Sequence, residues 1–138
     1  MYRLLPFLAL VFLLLSAGCT NVAGDRVRSL TSDAGSSAPL MQYADTFFTA
    51  AGYDCQAEDR GAALRCGREL RDLFIHQTRA VVEIFEDKDA DRYLLASTRW
   101  DEGLIPGEFI SSKFENPDVA TFCESLAASG KGRCRVEE

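Results

Sequence analysis

The segment that decides the fold class is DLFIHQTRAVVEIF, Asp72 to Phe85, in which apolar and polar residues alternate. One side of this segment carries Phe74, His76, Thr78, Ala80, Val82 and Ile84. A period of two residues is typical of a β-strand with one buried face. We therefore predict one long strand from Asp72 to Phe85.

The same period predicts neighbouring strands. After the acidic turn 86–91, Arg92 to Trp100 can return as a partner, with Leu94, Ala96, Thr98 and Trp100 on one side. Upstream, Tyr53 to Ala57 and Ala63 to Gly67 predict a hairpin with Arg60-Gly61 as its turn, and Arg133 to Val136 predicts a short last strand. The sequence thus predicts an antiparallel sheet of about four to five strands.

Two segments have helical spacing instead. Pro39 and Gly52 bracket an apolar stripe of Leu40, Ala44, Phe47, Phe48 and Ala51. Asn116-Pro117-Asp118 opens a second stripe of Val119, Phe122, Cys123, Leu126 and Ala127, which ends before Gly130. Because the helices flank the strands in sequence, we predict an α+β fold, a small two-layer sandwich with both helices on the apolar face of the sheet.

The N-terminus carries a targeting signal. Arg3 precedes an uncharged apolar run of twelve residues, Leu4 to Leu15, and then Ser16-Ala17-Gly18-Cys19. The run is shorter than the roughly 20 residues that span a bilayer. This segment resembles the signal sequence and lipobox of bacterial lipoproteins, which implies attachment of a lipid to the thiol of Cys19 and cleavage that leaves Cys19 as the mature N-terminus. The alternative is a plain secretory signal, since Ser16 and Ala17 also suit ordinary signal peptidase.

The resemblance also implies a location. In such lipoproteins an aspartate after the cysteine commonly causes retention in the inner membrane, whereas this chain has Thr20. We therefore expect anchoring in the outer membrane with the domain facing the periplasm. The expected organisation is a signal peptide at 1–18, a lipidated N-terminus with a flexible tether at 19–39, and one domain at 40–138. The tether expectation rests on its Ser, Ala, Gly, Asp and Thr content.

Four cysteines remain besides Cys19: Cys55, Cys66, Cys123 and Cys134. An even number in an exported domain predicts two disulfides. Four cysteines allow three pairings, and the two equal spacings favour Cys55 with Cys66 and Cys123 with Cys134. A structural zinc site is the alternative, but zinc ligands usually come in pairs only two to four residues apart.

The sequence carries no recognisable catalytic motif. His76 is the only histidine, and Ser111, Ser112 and Asp72 do not form a triad spacing with it. The nucleophile elbow and the glycine-rich phosphate loops are absent as well. We therefore predict a non-enzymatic protein without a cofactor, in which His76 is a hydrogen-bonded, partly buried strand residue.

The acidic turn Asp87-Lys88-Asp89-Ala90-Asp91 resembles the start of an EF-hand calcium loop. An EF-hand needs glycine at the sixth position and glutamate at the twelfth, where this chain has Arg92 and Thr98. A solvated hairpin turn is therefore favoured over a calcium site, and we predict no metal.

The chain has fifteen Lys and Arg residues and a formal net charge of −6. Removal of the signal peptide takes away one of them, Arg3, and leaves the mature chain at −7. This charge argues against nucleic acid and favours basic partners. One apolar stretch from Trp100 to Ile110 contains a possible interaction surface of Trp100, Leu104, Ile105 and Phe109. Exposed, these residues form a binding patch; buried, they cap the core, and the small size of the domain favours capping.

These observations predict an accessory or interaction protein of the cell envelope, held to the membrane by its N-terminal lipid and bound to an envelope protein. The alternative is an inhibitor or immunity-type lipoprotein that binds a basic hydrolase such as lysozyme. Acidity and two disulfides suit that alternative, although the serine-glycine motif of known lipoprotein lysozyme inhibitors is not found in the sequence.

Overall fold

A computed structural model describes residues 19–73, 76–104 and 112–138. The predicted signal peptide at 1–18 lies outside the described residues. The elements are β1 (Cys19–Gly24), β2 (Arg28–Ser32), α1 (Ala38–Ala50), β3 (Asp54–Ala57), β4 (Leu64–Leu73), β5 (His76–Asp87), β6 (Arg92–Leu104), α2 (Pro117–Ala128) and β7 (Gly132–Val136). The class is α+β as predicted, with more strands than the four to five expected. In the described part of the chain, no helix is long and apolar enough to cross a membrane.

The seven strands of the described residues form one antiparallel sheet, in which six follow the order β3-β4-β5-β6-β2-β7 and β1 pairs with β6. The long strand β6 pairs with β5 along one side. On its other side, β6 pairs first with β2, through Tyr93 to Leu95, and then with β1, through Thr98 to Leu104. The strands β1 and β2 therefore follow each other along the same edge of β6.

The expected tether at 19–39 is wrong, because β1 and β2 both lie within it. Ala23 and Leu30 are buried against the covered face of the sheet, whereas Ser29 points to the other face. A strand that is covered on one side needs an apolar residue only at every second position, so a composition poor in apolar residues does not exclude it. The domain therefore begins before residue 40 and includes the segment from Cys19.

The expected single strand from Asp72 to Phe85 is also wrong. Leu73 pairs with His76, so the segment is divided between the antiparallel strands β4 and β5, and residues 74 and 75 lie outside the described residues. Apolar and polar residues alternate on both sides of this reversal, so a period of two in the sequence cannot reveal it. The described members of the predicted face, from His76 to Ile84, do share the covered face of the sheet and are buried.

Both helices pack on that covered face, as predicted. Phe48 of α1 and Phe122 of α2 have ring centroids 5.1 Å apart and are completely buried. They lie over a sheet layer that includes Leu30, Leu64, Cys66, Ala80, Val82, Ile84 and Leu95. Burying side chains of this size contributes about 1.5–3 kcal/mol each relative to exposure.

The predicted disulfide pairing is confirmed. Cys55 joins Cys66 directly across the β3–β4 hairpin, and Cys123 of α2 joins Cys134 of the edge strand β7. The hairpin turn is confirmed as well, because the amide of Ala62 donates to the carbonyl of Asp59 at 3.0 Å around Arg60-Gly61. Both central residues have positive φ, 53° and 83°, as this turn type requires.

Candidate functional site at the Cys19 end of the sheet

The sheet face opposite the helices, here called the outer face, carries a row of three neighbouring side chains. Val22 of β1 lies opposite Trp100 of β6, and Trp100 lies opposite Arg79 of β5. These positions alternate with the buried, helix-facing residues Ala23 and Ala80. The three side chains therefore point to the outer face, and we call them the Trp100 row.

A cation–π contact and two hydrogen bonds hold Arg79 and Trp100 in place. The Arg79 guanidinium lies 5.5 Å from the centroid of the Trp100 ring, and it donates to Glu102 Oε1 at 2.8 Å. Trp100 Nε1 donates to Thr98 Oγ1 at 3.0 Å. Val22, beside Trp100, is 48% exposed. The row thus contains a tryptophan and an arginine, two residue types enriched at protein interfaces, next to an exposed valine.

The structure places only part of the predicted interaction surface. Trp100 is half-buried on the outer face and does not cap the core, so the capping expectation is wrong for this residue. Leu104 ends β6, and its backbone pairs with Cys19. Ile105 and Phe109 lie outside the described residues. The strand extends past Trp100, and Gly103, with φ of 74°, is the extra residue of a β-bulge opposite β1.

Behind the Trp100 row, the covered face carries a buried polar cluster around Asp101, which is 2% exposed. Thr78 Oγ1 donates to Asp101 Oδ1 at 2.9 Å, and Arg99 Nε donates to Asp101 Oδ2 at 2.8 Å. Burial disfavours the charged form of this carboxyl, but the hydrogen bonds from Thr78 and Arg99 outweigh burial and lower the pKa of Asp101. Asp101 is therefore ionised near neutral pH.

His76 belongs to the same cluster. Its Nε2 lies 3.7 Å from Asp101 Oδ1 and 3.4 Å from Thr78 Oγ1, and its Nδ1 lies 3.4 Å from Arg71. His76 is 5% exposed, and the oxygens of Asp101 already accept from two other donors. The arrangement ties β5 to β6 and resembles structural hydrogen bonding more than a general base open to substrate.

The residues named as possible partners of His76 do not join this cluster as far as the structure describes them. Ser112 is exposed, Ser111 lies outside the described residues, and the side chain of Asp72 does as well. In the acidic turn, the carboxylate of Asp87 already has hydrogen-bond partners within the protein. It accepts from Arg92 Nε at 2.8 Å and from the amide of Asp89. Within 19–73, 76–104 and 112–138, no three residues with metal-ligating side chains are grouped as a metal site.

A second polar network, which the sequence did not reveal, fixes α2 to the sheet. Asn116 caps α2, since its side-chain oxygen accepts from the amide of Asp118 at 3.0 Å. Its Nδ2 donates to Ser97 Oγ at 2.9 Å and to the hydroxyl of Tyr53 at 3.1 Å. The sequence Asn116-Pro117-Asp118 indicated the helix cap, but it did not indicate the hydrogen bonds from Asn116 to Ser97 and Tyr53.

Asp25, between β1 and β2, extends this network. Its Oδ2 accepts from Arg28 at 3.1 Å and from the amide of Asn116 at 3.1 Å, and its side chain is 1% exposed. A buried carboxylate is costly unless it is paired and hydrogen-bonded, as it is here. The N-terminal segment is therefore bonded to α2 as well as to β6.

The start of β1 completes the geometry of this end of the sheet. The backbone of Cys19 pairs with Leu104 and that of Thr20 pairs with Glu102, so the pairing of β1 with β6 includes Cys19, with the Gly103 bulge between these two pairs. The Trp100 row lies three residues further along β1.

The chain matches no protein-family model, and no curated protein or solved structure is significantly similar to it.

Proposed function

We propose that this chain is a non-enzymatic lipoprotein of the cell envelope, anchored in the outer membrane through Cys19, which presents its outer sheet face to an envelope protein. The observation that carries the proposal is the Trp100 row. It places an exposed valine, a tryptophan and an arginine side by side on the face without helices, within a few residues of Cys19.

The character of the row supports protein binding. Tryptophan and arginine are the residues that most often dominate binding energy at protein interfaces. Arg79 is already held over the Trp100 ring and against Glu102, so a partner does not have to immobilise a free arginine side chain. This preorganisation reduces the entropic cost of association.

The charges of the outer face favour this proposal over an inhibitor of basic hydrolases. Arg65, Arg79 and Arg135 lie on the outer face together with carboxylates such as Glu83 and Glu102. Because positive and negative charges are mixed on this face, it attracts a strongly basic protein only weakly during diffusional encounter. If the inhibitor alternative holds instead, the purified protein will bind cationic hydrolases at low salt and release them in moderate salt.

The experiment is photo-crosslinking in intact cells with a photoreactive residue at a single position. We expect a covalent product with one specific envelope protein from position 22 and not from the matched control position 42, because Gln42 is exposed on α1, on the opposite side of the molecule. Trp100→Ala should abolish the product from position 22 while both disulfides still form. Equal products from positions 22 and 42, or none from either, would contradict the proposal.

A further inference from the structure

We infer that the domain stands end-on against the phospholipid headgroups, with the Cys19 end of the sheet in contact with the bilayer surface. This inference rests on the proposed acylation of Cys19. It adds a second binding surface, the ends of the strands, whose partner is a lipid surface.

No flexible segment separates the proposed anchor from the fold. Cys19 is itself paired with Leu104, and Thr20 is opposite Glu102. One residue spans at most about 3.6 Å, so acyl chains on Cys19 hold the first pair of the sheet within one residue length of the lipid glycerol region. A tether that would hold the domain away from the membrane does not exist in this arrangement.

The ends of β6, β5 and β4 lie beside Cys19. Glu102 of β6 is opposite Gln77 of β5, and Gln77 is opposite the backbone of Asp72 of β4. With neighbouring strands about 4.8 Å apart, these four strand ends lie within about 15 Å of the anchor. The described ends of β1, β6, β5 and β4 therefore lie on the side of the domain to which Cys19 is fixed.

An exposed apolar side chain outside the Trp100 row also lies at this end. Leu70 is 45% exposed, and it follows Glu69, which pairs with Arg79. Leu70 is the extra residue of a bulge in β4, between Glu69 and Arg71. Apolar side chains next to a bilayer gain free energy when they leave water for the headgroup and acyl boundary.

The far end of the sheet differs. The β5–β6 turn lies about 30 Å from Trp100 along the strands, and its residues Lys88, Asp89 and Ala90 are all exposed. On the outer face near that turn, Arg92 is paired with Asp87 and with Glu137. This charged region would have to lie on the membrane if the sheet lay flat, which favours the end-on orientation.

Trp100 is the only tryptophan and lies about 11 Å from Cys19, so it reports the orientation without a label. The full-length protein is purified from membranes, its N-terminal acylation is checked by mass spectrometry, and it is reconstituted into vesicles of phosphatidylethanolamine and phosphatidylglycerol. A fraction of the lipid carries a nitroxide on its headgroup. We expect the nitroxide lipid to remove most of the Trp100 fluorescence, both at low salt and at high salt.

Two variants control for this reading. Trp100→Phe combined with Ala90→Trp moves the tryptophan to the far turn, where we expect almost no quenching. Insertion of ten Gly and Ser residues between Cys19 and Thr20 adds a mean reach of about 17 Å, and we expect quenching of Trp100 to fall towards the level of the far-turn variant.

The outcomes separate the two proposals. An N-terminus without acyl chains would overturn both the proposed function and this inference. An acylated protein in which Trp100 is quenched no more than a tryptophan at position 90 would overturn the inference alone, whether both are quenched, as in a flat orientation, or neither is. Quenching that is unaffected by the inserted linker would also contradict it.

Discussion

Replacing Asp25 by alanine tests whether the N-terminal segment is part of the folded domain. The carboxylate of Asp25 accepts from Arg28 and from the amide of Asn116, and it is almost completely buried. Removing one partner of a buried ion pair costs about 3–5 kcal/mol. Arg28 is 12% exposed and keeps its bond to the carbonyl of Arg26, so we expect the low end, a loss of about 3 kcal/mol.

The assay is urea denaturation followed by circular dichroism with the disulfides intact. The matched control is Asp33→Ala, since Asp33 lies in the same segment but is 3.7 Å from the largely exposed Arg133. An exposed pair of this kind contributes less than about 1 kcal/mol. If both substitutions leave the free energy of unfolding unchanged, the segment is a tether and our description of β1 and β2 is refuted.

Further substitutions test single features of the fold. Arg60→Asn should raise the free energy of unfolding by up to about 1 kcal/mol, because asparagine tolerates the positive φ of the hairpin turn better than arginine does; an unchanged or lower urea midpoint would contradict this. Asp101 has a lowered pKa in the fold, so its stabilising effect is complete above the unfolded pKa of about 3.9 and is lost as the pH falls through the folded value. Asp101→Asn should therefore reduce stability at pH 7 and make it depend less on pH below about 4, as measured by urea midpoints across that range; an acid dependence equal to that of the wild type would contradict this assignment. Gly132→Ala places a Cβ 2.5 Å from the carbonyl oxygen of Thr31 and should lower the free energy of unfolding by about 1–3 kcal/mol. In the control Gly67→Ala, the Cβ meets no atom within 4 Å, so the loss should be small. Equal shifts of the thermal midpoint in the two variants would show that β2 and β7 do not approach closely at Gly132.

The local patterns were sufficient to predict the elements that bury one regular face. The stripe from Leu40 to Ala51 and the cap at Asn116 each predicted a helix that is present. The equal spacing of the cysteines and the turn at Arg60-Gly61 predicted the hairpin and both disulfides. These features depend on neighbours within about a dozen residues, which a single sequence displays directly.

The features that the sequence did not predict depend on distant partners. Leu30 lies in a polar segment and is buried because β2, paired between β6 and β7, places it in the core beneath the helices. The reversal between Leu73 and His76 is hidden by continuous alternation. The Trp100 row also joins residues from three strands, so only the pairing of β1, β5 and β6 brings Val22 and Arg79 to Trp100.

Cys19, the proposed lipid anchor, is also paired in the sheet. The most direct test is mass spectrometry, without reduction, of the intact protein and its peptides after purification from native membranes. The account predicts an acylated Cys19 as the N-terminal residue, together with peptides linked from Cys55 to Cys66 and from Cys123 to Cys134. An unmodified Cys19, or an N-terminus at another residue, would contradict the anchored protein described here.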